Sequence, residues 1–328
     1  MNRNPDKGSD DMRILFMGTP DFAVLPFLVL TENFEVIGVV TQPDKPKGRH
    51  MTLTPSAVKM AAIEKNIPVF QPTTLKDGSF QDTLDLLKPD AIVVVAYGKI
   101  LPKYVLDYPK YGCINLHGSL LPKYRGAAPM QRALIEGEKE TGVTTMYMAE
   151  GLDTGDMLEV AKTDITEEDN FESIHDRLSE IGSSLLISTL SKLKDGMIVP
   201  KKQDDSLATY AAKIENQDCR IDFSQGAYTV FNQVRGLSPF PLAYCRHNGK
   251  MLKVIDCRVL PDSDTLLKAH PNAVCGEVLS LDKGCIAVKC NDGVLSVRAV
   301  LPEGKSRMKA SDYINGRRIQ VGDVLESF

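Results

Sequence analysis

Short apolar runs and stretches of helical length take turns along the first part of the chain. "MRILFMG" ends at Gly18, and "FAVLPFLVLTEN" follows with helical length, Pro26 either sitting in its first turn or kinking it. "FEVIGVVTQPD" is a strand stopped by Pro43, and "PSAVKMAAIEKN" is a helix with Pro55 early and Thr54 or Ser56 at its cap. "IPVF" (strand), "DTLDLLK" (helix), "PDAIVVVAYG" (strand) and "YGCINLHG" (strand) continue the series. "AAPMQRALIEGE" predicts a helix with Pro129 in its first turn, and "GVTTMYMAEGLDTGDML" reads as strand, glycine-bounded turn, strand. Strands without polar alternation, separated by helices, predict a parallel sheet covered on both faces. From Phe171 to Leu193 apolar residues recur in threes and fours, which predicts one long amphipathic helix ended by Gly196. His175 falls between the positions of that stripe and is expected at the surface.

The pattern then changes. Residues 197–214 are polar and without a period, as expected of a connector between domains. "QGAYTVFNQVRGL" is one short helix. "AYCRHNGKMLKVIDCRV" is two strands around Asn248-Gly249, a strong hairpin signal, and further turns fall at Asp282-Lys283-Gly284 and Asp292-Gly293. Short strands on tight turns predict a small antiparallel barrel. His247 and His270 stand beside turns and are expected to be solvated. The division expected is a flexible extension over 1–11, an α/β domain over 12–196, the connector, and a barrel domain over 215–328.

Composition changes this picture little. The 328 residues are 43% hydrophobic and 25% charged, ordinary for a two-domain soluble chain, with a formal net charge of -4. From Tyr210 onward there are 16 Lys and Arg against 13 Asp and Glu, and before it 23 against 30. A basic C-terminal part suits a polyanionic partner, although uneven sampling gives the same split. The seven cysteines form no C-x-x-C pair, which fits buried free thiols in a reducing, cytoplasmic setting. "FAVLPFLVL" is too short to span a bilayer, so no membrane partner is expected.

The motifs first exclude. The chain has no phosphate-cradling P-loop, no H-E-x-x-H, no G-x-S-x-G elbow and no Cys/His cluster at metal-ligand spacing, so no metal is expected. "MGTPDFA" replaces the glycines that a dinucleotide fingerprint needs after the first strand, which argues against a dehydrogenase. What remains is "CINLHGSLLPKYRGAAP". Residues two apart in a strand point the same way, so Asn115 and His117 project together at the C-terminal edge of the sheet. An amide and an imidazole aimed at one point can hold an oxyanion, and the imidazole can pass a proton. A turn-bonding asparagine and a satisfied core histidine are the alternative. Asp153, in "GLDTGDM", is either a turn former or the carboxylate that orients His117. With no Ser or Cys nucleophile at an elbow, the trio suits acyl transfer straight to a substrate nucleophile.

The run from Ile114 to Leu158, with Asn-x-His, Ser-Leu-Leu-Pro and Gly-Leu-Asp-Thr-Gly, closely resembles the folate-dependent formyltransferases. "MGTPDFA", "TQPDKPKGR", "VVAYGKILP" and "LSPFPLAY" narrow the resemblance to members that act on charged tRNA, and it extends from about Met12 to the C-terminus. The resemblance implies a Rossmann-like, mainly parallel formyltransferase domain and a C-terminal barrel like an OB-fold. It implies 10-formyltetrahydrofolate as co-substrate and initiator methionyl-tRNA as partner; nothing in the sequence itself demands more than a monomer. It implies catalytic roles for Asn115, His117 and Asp153, and a folate-holding segment at Ser119, Leu120, Leu121 and Pro122, walled by Ile100 and Leu101. Arg49 matches an arginine that engages the acceptor end of tRNA, and the basic residues Lys305, Arg307 and Lys309, with Arg317 and Arg318, suit the tRNA backbone. The chain departs from the family after Arg49: "RHMTL" stands where members often carry Gly-Lys-Lys, so this loop has fewer charges for phosphate. The rivals are formyl transfer to a small amine, such as an amino sugar nucleotide or glycinamide ribonucleotide, and a non-enzymatic folate- or RNA-binding module. Arg125-Gly126 either orients a phosphate or shapes the turn.

Overall fold

The computed structural model describes residues 12–47 and 52–327. The expected extension over 1–11, Arg49 and His50 lie outside the described residues. In chain order the elements begin β1 (Arg13–Gly18), α1 (Val24–Asn33), β2 (Glu35–Val40), β3 (Lys45–Lys47), β4 (Thr52–Thr54), α2 (Ala57–Glu64), β5 (Val69–Phe70), α3 (Gln81–Leu87), β6 (Ala91–Val95) and α4 (Lys103–Leu106). They continue with β7 (Cys113–His117), β8 (Arg125–Gly126), α5 (Pro129–Ile135), β9 (Glu140–Tyr147), β10 (Met157–Asp164), α6 (Phe171–Lys194) and β11 (Tyr210–Ala211). The last part holds α7 (Ala227–Gly236), β12 (Ala243–His247), β13 (Lys250–Val259), α8 (Asp264–Ala269), β14 (Val278–Ser280), β15 (Ile286–Lys289), β16 (Val294–Pro302), β17 (Met308–Lys309) and α9 (Ala310–Asn315). Among the described residues no helix is long and apolar enough to cross a membrane.

The chain divides into two compact units. The first holds residues up to Gly126, Gly142–Thr163 and His175–Tyr210. The second holds Ala127–Thr141, Asp164–Ile174 and everything from Ala211 on, so compactness cuts across chain order. Helix α5 and the start of α6 accordingly belong with the second unit.

The first unit is built on a seven-stranded sheet in the order β10-β9-β7-β6-β1-β2-β5. Its pairs β1–β2, β1–β6, β2–β5 and β6–β7 are parallel, while β9 runs antiparallel to β7. Every residue of β6 is buried, as a wholly apolar run requires in a sheet covered on both faces, and every residue of β7 is buried too, its Asn115 and His117 included. Leu15, Met17, Val40, Ile92 and Val94 join Leu75 and Leu84 in one core cluster. The Ser56 side chain caps α2 by accepting from Lys59 N–H, and Pro129 opens α5 where its missing N–H has no partner to lose. His175 is half-buried rather than freely solvated, with its ring edge-on to Phe22 and its nitrogens facing Asp21 at 3.6 Å and Asp176 at 2.8 Å.

The second unit carries strands β12-β13-β16-β15-β14, antiparallel throughout, with β17 added on β16. Asn248 and Gly249 both take positive φ, 51° and 73°, and turn β12 into β13 as their dipeptide predicts. The chain after α9 closes the curl. Val324 bridges Glu277 beside β14, and Glu326 bridges Arg246 on β12. His247 corrects the expectation of a solvated residue: it is 4% exposed. Its Nδ1 lies 3.0 Å from the Tyr313 hydroxyl and its Nε2 3.0 Å from Asp323 Oδ2. Sequence shows His247 only its adjacent turn; the two partners come from α9 and from the closing segment.

Candidate active site

His117 is the last residue of β7 and Asn115 sits two positions before it. Asn115 is in register with Val94 of β6 and Met146 of β9, and His117 with Thr144. Both therefore stand where the parallel strands end, the edge at which open α/β sheets take ligands. Asn115 is 8% exposed and His117 6%. The Asn115 side-chain amide has no hydrogen-bond partner among the described residues. A near-buried amide left open costs roughly 1–3 kcal/mol, a cost that a bound acceptor removes.

His117 is held from one side only. Its Nε2 lies 2.9 Å from Tyr124 O, which can only accept, so Nε2 carries the hydrogen. Its Nδ1 lies 3.6 Å from Asp153 Oδ2, beyond hydrogen-bond range. Asp153 occupies the left-handed region, φ 52°, in the turn between β9 and β10. The turn needs Gly155: a Cβ there would lie 1.7 Å from Tyr147 O. The same Oδ2 of Asp153 accepts from Gly126 N–H at 2.8 Å.

The structure brings together three residues picked from sequence, Asn115 and His117 on β7 and Asp153 facing His117. It also adds residues that sequence reasoning did not assign. Gln203, from the stretch expected to be a mere connector, donates through Nε2 to Asp153 O at 2.8 Å and Gly155 O at 2.7 Å. Its Oε1 accepts from Arg125 Nε and Nη2 at 3.0 and 2.8 Å, and Arg125 Nη2 also reaches Asp205 Oδ1 at 2.7 Å. Thr209 of the same stretch accepts from Tyr124 N–H and Arg125 N–H. No periodicity marks Gln203 or Thr209. The only cue was the Arg-Gly of the motif itself.

The segment after His117 separates its own residues. Ser119 spends its hydroxyl on Lys123 O at 2.7 Å, and Leu121 packs with Met146 and Met157. Thr144 Oγ1 pins the loop, accepting from Leu121 N–H and donating to Ser119 O. Leu120 and Pro122 are the half-exposed members. Leu101 is 2% exposed and belongs to the core, whereas Ile100 is 71% exposed. Of the two, Ile100 is the one that presents exposed apolar surface at this loop. Burial pushes the Cys113 thiol up to about 12, which removes it as a thiolate nucleophile at the foot of β7. Among the described residues no cluster of three His, Cys, Asp or Glu could hold a metal.

In the second unit Lys305, Arg307 and Lys309 are exposed at alternate positions leading into and along β17. Arg307 Nη2 donates to Pro239 O at 3.0 Å. Arg318 lies over the Tyr313 ring, 6.0 Å from its centroid.

Comparison with known proteins bears on this arrangement. A formyl transferase family model matches residues 12–190, and the model of the formyl transferase C-terminal domain matches residues 213–318. The methionyl-tRNA formyltransferase of Bacillus licheniformis is 47% identical over 316 residues, covering 95% of this chain and 98% of its own. That of Clostridium novyi is 46% identical, covering 96% and 100%. Among solved structures, the N-formyltransferase of Helicobacter canadensis in complex with folinic acid and dTDP-3-aminofucose superposes with a TM-score of 0.64 at 18% identity, covering 87% of this chain and 98% of its own. HypX from Aquifex aeolicus in complex with tetrahydrofolic acid superposes at 0.61 and 19% identity, covering 94% of this chain and 47% of its own. At such identities the two structures speak for the fold. With both family models matched in order and close to half of all positions shared with full-length relatives, the chain belongs to the formyl transferase family, its relatives along nearly the whole length being methionyl-tRNA formyltransferases.

Proposed function

We propose that this protein transfers the formyl group of 10-formyltetrahydrofolate to the α-amino group of methionine carried on initiator tRNA. The observation that carries the chemistry is the unpartnered Asn115 amide two residues before an imidazole whose Nδ1 faces a fixed carboxylate. The amine attacks the formyl carbon, the carbonyl oxygen becomes negative, and the bond to the folate nitrogen then breaks. Asn115 Nδ2–H donates to that oxygen, a kind of contact whose removal typically raises the barrier by about 2.7–4 kcal/mol. Sequence alone suggested a share of the oxyanion for His117, but its Nε2 is tied to Tyr124 O. We therefore assign His117 to proton transfer through Nδ1, in the gap shared with Asp153. The proton leaves the attacking amine there and is returned to the folate nitrogen. No covalent enzyme intermediate enters.

Pro122, Leu120 and the exposed Ile100 offer the apolar surface for the folate ring, and the loop 119–122 its main-chain contacts. In this reading 12–196 is the catalytic domain and 215–328 the tRNA-gripping one, where Lys305, Arg307 and Lys309 meet phosphates, joined in the grip by Arg49. The chain works in the cytoplasm as a monomer. Formyl transfer to initiator methionyl-tRNA, free methionine and an amino sugar nucleotide, assayed side by side, tests the proposal. Transfer to the charged tRNA alone is expected. Transfer to the sugar amine, or binding of folate and tRNA without turnover, would overturn it.

A further inference from the structure

We infer that Arg125 and Gln203 are positioning residues that set where the Asp153 carboxylate stands relative to His117. The inference rests on the reading of Asp153 as a proton-handling group. Arg125 has a guanidinium that is 2% exposed, an expensive place for a charge unless its partners have a purpose. Those partners converge on one turn. Gln203 uses its whole hydrogen-bonding capacity: Oε1 accepts twice from Arg125, and Nε2 donates to Asp153 O and Gly155 O. The two carbonyls bracket the turn in which Asp153 holds φ 52°, a conformation a non-glycine residue keeps only when its surroundings impose it. The peptide that follows Arg125 completes the grip, because Gly126 N–H donates to Asp153 Oδ2.

Asp153 is thus held twice from the same dipeptide. The Arg125 side chain, through Gln203, fixes its backbone, and the Gly126 peptide fixes its carboxylate. The 3.6 Å gap to His117 Nδ1 follows from both. Of the two roles left open for Arg125-Gly126, this favours shaping the turn: Arg125 commits Nε and Nη2 to Gln203 and Asp205. The segment after α6, a connector by composition, becomes the back wall of the catalytic edge.

Gln203→Glu separates positioning from bulk. It keeps the size and the Arg125 contact but turns an acceptor toward two carbonyl oxygens. The expected result is a fall in kcat of about 10- to 100-fold, the scale of a misplacement near an ångström. KM for both substrates should stay within about threefold, since neither touches Gln203. Introduced into an Asp153→Asn background, the same change should cost no more than about twofold further, because the group it positions is already lost. Arg125→Lys, which cannot fork onto Oε1, should repeat the pattern if Gln203→Glu does not fold. Equal fold-losses in both backgrounds would mean a merely structural role and would overturn the inference. Near-normal kcat in Gln203→Glu beside a crippled Asp153→Asn would also overturn it while leaving the site reading intact. Near-normal kcat in Asp153→Asn itself would overturn both.

Discussion

His117 and His247 are both buried histidines that stand beside a carboxylate, one at the edge of the parallel sheet and one in the seam of the barrel. Around His247 both ring nitrogens are satisfied at hydrogen-bond distance, by the Tyr313 hydroxyl and by Asp323. Around His117 only Nε2 is satisfied; Nδ1 stops 3.6 Å short of Asp153, and the neighbouring Asn115 amide is open. Composition and burial do not separate the two. What separates them is the hydrogen bonding left undone, which in a folded protein is costly and so persists where a ligand completes it.

That contrast predicts opposite losses. Asn115→Ala and His117→Ala should each lower kcat by about 100- to 1000-fold, while the melting temperature moves little for Asn115→Ala, whose amide has no partner to lose, and falls modestly for His117→Ala, which gives up its bond to Tyr124 O. Turnover close to normal in purified His117→Ala would put both histidines in the same structural class. His247→Ala should do the reverse, costing about 1–3 kcal/mol in denaturant unfolding by leaving Asp323 and Tyr313 without their shared partner, with kcat of the folded fraction intact. A large kcat effect there would erase the contrast.

His175 gives the smallest effect and tests the half-exposed case. The facing Asp21 carboxylate raises its pKa and, reciprocally, the ring lowers that of Asp21. The histidine part of this stability is fully present below the unfolded value of about 6.5 and is lost as pH rises through the higher folded pKa. The aspartate part is present above about 3.9 and is lost as pH falls through the lower folded pKa. Asp21 is mostly exposed, so solvent screening keeps the pair below about 1 kcal/mol. The stability gap between the native protein and His175→Gln should therefore be widest between the two unfolded values, about 3.9 and about 6.5, and close as pH rises through the raised folded pKa of His175. A gap that widens with pH would contradict the pairing.

Much of the architecture was legible because its signals are local. Wholly apolar β6 announced a sheet buried on both faces, the stripe from Phe171 to Leu193 one long helix, and Asn248-Gly249 the hairpin between β12 and β13. Asn115 and His117 could be paired because strand geometry sends residues two apart the same way. The misses share a cause. His247 was misjudged because Tyr313 and Asp323 reach it from distant sequence. Gln203 was invisible because its partners, Arg125 and the Asp153 turn, are brought to it by folding. Leu101 and Ile100 are neighbours of like chemistry, and only the path of the loop after β6 sends one inward and the other out.

The seam that pairs Arg246 with Glu326 has a consequence for how the molecule is made. Synthesis delivers β12 long before the segment that will cover its flank. Until then only the Tyr244 end of that edge is covered, by its bridge to Arg220, and the stretch at Arg246 is left unpaired, the kind of edge on which chains join one another into aggregates. The charged Arg246, next to the last residue of β12, is a fitting guard for that interval, since a charge on an exposed edge discourages such pairing.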